Sequence, residues 1–170
     1  MIVESAQMLS TAHRILDGSC AIVKYITRKG LPRKKKVWSL ADKRDSILYK
    51  VAHPNHPSTK WTMACAANYH WHYRLFIALC NEYTLRYHKI HKTDRLLRDM
   101  LADTPRGITR NSLHDVYPFA LAMKQNPECI DHSDPVGSYR KFYETKQARF
   151  KMVWTNRPTP PWFNVSSIIH

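Results

Sequence analysis

Six of the ten histidines in this 170-residue chain lie between His53 and His91. Histidine is the side chain that most readily binds a metal or moves a proton near neutral pH, so this stretch is the first place to look for chemistry. His70 and His72, two residues apart, would point to different sides of a helix. His88 and His91, three apart, are the better pair. Neither spacing is the four-residue step of a helical zinc motif, and no carboxylate sits where such a motif needs one. No metal and no cofactor are expected. These histidines are expected instead to cap turns, pack on aromatic rings or touch phosphates, the last role being assigned to His56 and His91. Cys20, Cys65, Cys80 and Cys129 are too widely spaced for a thiolate metal site and read as free thiols. The motifs of serine hydrolases, of phosphate-cradling loops and of paired catalytic carboxylates are missing, and four glycines leave little material for such loops. Glu4, Asp17, Glu82, Asp94 and Asp115 are the carboxylates with any claim to a chemical role. The run from Glu82 to Lys92, EYTLRYHKIHK, interleaves rings and cations. That mixture lets rings stack on bases while cations hold phosphates. Tyr83 and Tyr87 share a helical stripe with Phe76 and Leu79 and are expected to be buried, whereas Arg86, Lys89 and His91 are assigned to a ligand.

Charge decides what kind of ligand. Lys and Arg total 27 against 13 Asp and Glu, a formal net charge of +14. A charge of that size repels itself unless a polyanion offsets it, and nucleic acid rewards clustered cations by releasing counterions. DNA is expected ahead of RNA. At 44% hydrophobic residues the chain is too apolar for disorder, and no apolar run approaches the roughly 20 residues that span a bilayer. A secretory leader is not expected, so the expected compartment is the cytoplasm, or that of a virus-infected host cell. The densest basic run carries Pro and Gly rather than a helical apolar stripe, which disfavours membrane binding.

The elements that must position these groups follow from periodicity. Apolar residues at Ile2, Val3, Ala6, Leu9, Ala12 and Leu16 predict a helix ending at Asp17-Gly18. Two β-prone runs, CAIVKYIT and VWSL, flank Gly30 and Pro32 and predict a hairpin or extended arm over 20–40. Its tip carries Arg28, Lys29, Arg33, Lys34, Lys35 and Lys36, expected to contact phosphates. After the rigid turn HPNHPS, a stretch without Gly or Pro predicts one long helix or two abutting ones, capped by Ser58 or Thr59. Thr93 or Asp94 would cap a short helix, RLLRDMLAD. Residues 107–138 read as loops, and 138–154 as a last helix whose basic side includes Arg140 and Lys141, also assigned to nucleic acid. The expected architecture is therefore mainly α: one helical domain over 1–155 with a long central helix, the basic arm, and a proline-rich tail over 156–170.

Taken together, IVESAQMLSTAHRILDG, YKVAHPNHPSTKW, ANYHWHYRLFIALCNEYTLRYHKIHKT, SYRKFYETK and a late W-x-x-R-P resemble phage and bacterial proteins of the pyrimidine-dimer DNA glycosylase family, similar to the endonuclease V type of repair enzyme. The resemblance implies an all-α glycosylase with an associated lyase step. A terminal amine would attack the sugar carbon, and a helix-borne glutamate would stabilise the cationic sugar. Glu4 matches that glutamate, Met1 would supply the amine, and Arg14 with the arm around Arg33 would clamp phosphates. In the family the amine lies further ahead of the glutamate than the three residues here. The resemblance thus implies a member lacking the family's N-terminal segment, and its alternative is a non-catalytic, nucleic-acid-binding or host-directed phage protein.

Overall fold

Ile2, Ala6, Leu9 and Ala12 recur at three- and four-residue spacings and form one buried stripe of helix α1 (Ile2–Asp17). The structure, a computed structural model, describes residues 1–164; the last six residues of the expected tail over 156–170 lie outside them. The α1 stripe packs on Tyr69, Phe76 and Cys80 of α4 (Ala66–Tyr87), and Leu97, Leu101 and Ile108 complete the core.

α1 ends at Gly18, where the chain turns directly into strand β1 (Ser19–Ile26). A Cβ at Gly18 would lie 2.7 Å from the Ser39 carbonyl oxygen and closer still to that of Arg14. Its φ of −97° suits any residue, so close approach of backbone is what demands glycine here. Gly18→Ala is expected to cost about 1–3 kcal/mol by forcing helix and strand apart. Urea unfolding with an unchanged midpoint would show that the strand simply retreats.

β1 pairs antiparallel with β2 (Pro32–Ser39), with Ser19 opposite Ser39 and Ile26 opposite Pro32. A single helical turn, α2 (Arg44–Ile47), follows. The central stretch is two abutting helices, α3 (Pro57–Ala64) and α4. The break is Cys65, which is extended (φ −161°, ψ 166°). It is stabilised because the amides that open α4 find partners outside the helix: Ala66 donates to the Thr109 carbonyl at 2.9 Å and Ala67 to Asn111 Oδ1 at 3.1 Å. α4 closes on His88 in the left-handed region (φ 53°), its amide donating to the Thr84 carbonyl.

Both expected caps are corrected. The Nδ1 of His56, not Ser58 or Thr59, caps α3 by accepting from the Ser58 amide, with Pro57 in the first turn. His91, not Thr93 or Asp94, caps α5 (Lys92–Leu97) in the same way, through the Thr93 amide. A histidine two residues ahead of a hydroxyl residue offers an acceptor with the reach of an Asx side chain.

The chain divides into two compact units, residues 1–117 and the residues from 118 onward. The second holds a 3₁₀ turn at Pro127–Cys129, helix α6 (Pro135–Thr145) and a further turn at Lys146–Ala148. α6 starts three residues earlier than the periodicity suggests, because Asp134 accepts from the Gly137 amide and Pro135 occupies the first turn. The expectation of a mainly α fold is overturned: among the described residues six α-helices stand beside a two-stranded antiparallel sheet, a mixed α and β architecture. Among the same residues no helix is long and apolar enough to cross a membrane.

Candidate nucleic-acid interface

From Ser19 to Ser39 the hairpin contains seven Lys and Arg and no Asp or Glu. Every one of these seven is exposed, and both faces of the ribbon meet solvent from Ser19 to Lys36. The register sorts them. Lys24, Lys34 and Lys36 share one face with Ile22 and Ile26, while Arg33 and Lys35 share the other with Tyr25. Lys24, which the sequence-derived set omitted, stands directly opposite Lys34, an arrangement that destabilises a sheet. On the second face the Lys35 ammonium lies 5.3 Å from the Tyr25 ring centroid. At about 3.3 Å per residue the eight-residue strands extend about 26 Å, and a two-stranded ribbon is of a size that the DNA major groove admits.

A two-stranded hairpin is marginal by itself, so its ends matter. At the tip, Gly30 donates to the Thr27 carbonyl at 2.9 Å, Thr27 to the Leu31 carbonyl at 2.9 Å, and Leu31 to Thr27 Oγ1 at 3.1 Å. Gly30 has φ +75°, which makes this a type I turn closed by a glycine bulge. At the root the anchor is Arg14, expected as a phosphate clamp and placed instead in the interior with no exposed surface. All five of its donors are used. Nε donates to the Tyr49 carbonyl (2.7 Å), Nη1 to the Trp38 carbonyl (3.1 Å) and to Asp45 Oδ1, and Nη2 to the carbonyls of Asp45 (2.7 Å) and Leu48 (2.9 Å). A guanidinium has five N–H groups, so none remains for a phosphate. Asp45 in turn accepts from the Leu40 amide, and that bond together with Arg14 holds its carboxyl down to about 2. Arg14 therefore holds the hairpin root from within and has no donor left for an external anion.

No protein family, characterised protein or solved structure matches this chain.

The remaining assigned residues are distributed elsewhere. The Met1 amine and Glu4 Oε2 are 2.5 Å apart at the N-terminal end of α1, with side chains 73% and 62% exposed. The bond from the amine keeps the Glu4 carboxyl below its usual range. Along α1, at 1.5 Å per residue, Glu4 lies about 20 Å from the hairpin root at Asp17. His56 is half-buried, and its Nδ1 is occupied as a helix cap. His91 is likewise a cap, with its ring edge-on to Tyr83 at 5.0 Å. Arg86 is half-buried and bonds Glu82 at 2.8 Å; Lys89 is exposed beyond the end of α4. Tyr83 is half-buried, but Tyr87, expected in the core, is exposed, its ring tilted against that of Tyr83 at 4.8 Å. In the second unit, Arg140 lies over the Trp162 ring (5.6 Å) and the Lys141 ammonium donates to the Glu128 carbonyl (2.5 Å). Among the described residues no group of three His, Cys, Asp or Glu is arranged to hold a metal ion.

Proposed function

We propose that the chain is a nucleic-acid-binding protein of the DNA glycosylase and AP-lyase type, gripping duplex DNA with the 19–39 hairpin. The observation that carries the binding is the ribbon itself: seven exposed cations, no acidic residue, both faces free, and a like-charged Lys24–Lys34 rung that only an external anion relieves. The chemical part follows the family resemblance. Once the Met1 ammonium has given a proton to solvent, its amine attacks the sugar carbon, and Glu4, 2.5 Å away and held ionised, faces the positive charge that develops there. The distance of about 20 Å along α1 from Glu4 to the ribbon root corresponds to about six base pairs at 3.4 Å. Damaged or modified bases are the substrate class.

Binding is tested by titrating duplex DNA across a range of salt. Lys34→Ala/Lys36→Ala is expected to lower the slope of log K against log salt by about 2, since each phosphate neutralised contributes about 0.9. An affinity indifferent to salt would end the binding part. The chemistry is tested by borohydride trapping on abasic duplex, where an adduct at Met1 that disappears in Glu4→Gln is expected. Salt-dependent binding with no adduct would favour a second reading, a non-catalytic nucleic-acid-binding protein. The wide exposure of Met1 and Glu4 favours that reading, since carboxylates of this kind work best where water is excluded.

A further inference from the structure

The outermost rung of the hairpin ladder is apolar: Ile26 faces Pro32 across the strands. Ile26 is 67% exposed, Pro32 is exposed, and neighbouring Leu31 is 53% exposed, so none of the three gains from packing in the core. On the same face the next rung inward is Lys24 opposite Lys34, and the one after it Ile22 opposite Lys36. This apolar rung lies between the exposed turn cations Arg28 and Lys29 and the lysine pair behind it. It fits a ligand with a charged exterior and an apolar interior open at one point.

We propose that the Ile26–Pro32 rung is a wedge that enters the base stack of duplex DNA, so that the preferred ligand is a duplex bent at a step that unstacks easily. The inference rests on the DNA-binding reading above. Apolar side chains, isoleucine and proline among them, part base steps and kink the duplex when cations hold the flanking backbone. Here the rungs of one face repeat every two residues, about 7 Å, which is two base steps at 3.4 Å. With the ribbon lying along a groove, Lys24 and Lys34 reach phosphates two steps from the insertion. Three hydrogen bonds and the left-handed Gly30 fix the tip, and the proline ring fixes φ at Pro32, so little freedom remains to be lost when the wedge enters. Tyr25, on the opposite face, is engaged with Lys35 and stays outside the stack.

The test uses the full chain and two duplexes of equal length, one with a central mismatch flanked by pyrimidine–purine steps and one an uninterrupted A-tract. Affinity is measured at fixed salt, and bending by energy transfer between end labels. The wild type is expected to bend the mismatched duplex and to bind it roughly tenfold more tightly or better, because a step that is already weak costs less to part. Ile26→Ser is expected to abolish both the bend and the preference while leaving the salt slope intact; circular dichroism confirms that a substitution this exposed leaves the fold alone. Lys34→Ala/Lys36→Ala weakens both duplexes equally. Salt-dependent binding without bending or preference, or a bend that survives Ile26→Ser, overturns the wedge and leaves the DNA-binding reading in place. Failure to bind either duplex overturns both. Vesicles of anionic phospholipid are run in parallel, and Ile26-dependent binding to them without DNA bending overturns the wedge in favour of a membrane ligand.

Discussion

Arg14→Ala is expected to lower stability by about 3–5 kcal/mol, the range for removing one partner of a buried ion pair. The guanidinium is buried completely, and its loss takes a donor from four carbonyl oxygens and from the Asp45 carboxylate, which keeps the Leu40 amide and the Lys50 ammonium 3.5 Å away. The damage has a location. Trp38, Asp45 and Leu48 lose their common tether to α1, so the hairpin root loosens, and limited trypsin digestion within 24–36 should accelerate before the helices melt. Arg14→Lys is expected to recover little, because an ammonium has three donors and no planar fork. Urea unfolding reads the effect, and a loss below about 1 kcal/mol would show that the root is held by something else.

A second large effect is expected on mild acidification. His13 is buried between α1 and α4, and its imidazole is pushed down to about 4, first by burial and then by the positive charge of Arg44. Arg44 Nη1 donates to its Nδ1 at 3.0 Å, which leaves Nε2 to donate to the Tyr69 hydroxyl at 2.8 Å; that hydroxyl donates onward to the Leu101 carbonyl. The chain of donors runs one way only, and a proton on Nδ1 would break its first link, because a guanidinium nitrogen cannot accept. His72, also depressed to about 4 by burial, sits 2.6 Å from Thr62 Oγ1, which donates to the Ser58 carbonyl. In the unfolded chain both histidines return to about 6.5. Between those values the unfolded state binds more protons, so stability is complete above pH 6.5 and falls as pH drops towards 4. A depression from 6.5 to about 4 is worth at most about 3 kcal/mol for each histidine. A separate loss begins lower, as Asp42 and Asp45, both held near 2, take up protons in the unfolded chain below 3.8. Unfolding free energies measured from pH 7.5 to 4.5 check this. His72→Gln should flatten the slope in that window, and a flat wild-type profile would refute it.

The sequence carried periodicity well and purpose less well. The α1 helix and a hairpin turning near Gly30 are local patterns, and both emerge; the spacing, however, places the second strand only over VWSL, whereas β2 begins at Pro32 and takes residues 33–36, expected at the tip, into the ladder. Arg14 could not be read that way. On a helical wheel it falls opposite the apolar residues, and nothing local says that carbonyls from residues 38, 45, 48 and 49 will converge on it. Long-range polar closure of this kind is invisible to a window of a few turns. His56 and His91 misled for a related reason: their type suggested metal or phosphate, but a helix begins two residues later and needs an acceptor. The signal was present in the spacing, His-Pro-Ser and His-Lys-Thr, once histidine is admitted as a cap. Lys24 lay outside the basic cluster in sequence, and only the strand register brings it to Lys34.

Among the described residues the two outer backbone edges of the ribbon have no partner strand. β1 contains Ile22, Val23, Tyr25 and Ile26, all exposed, the composition that lets strands of separate molecules zip together. Mutual repulsion between copies, through the same lysines that would meet phosphate, is what keeps such edges apart in solution. Partial neutralisation would therefore do more than weaken a complex. A variant stripped of its lysines, or a wild-type sample mixed with substoichiometric polyanion, should turn cloudy at concentrations where the native chain stays clear.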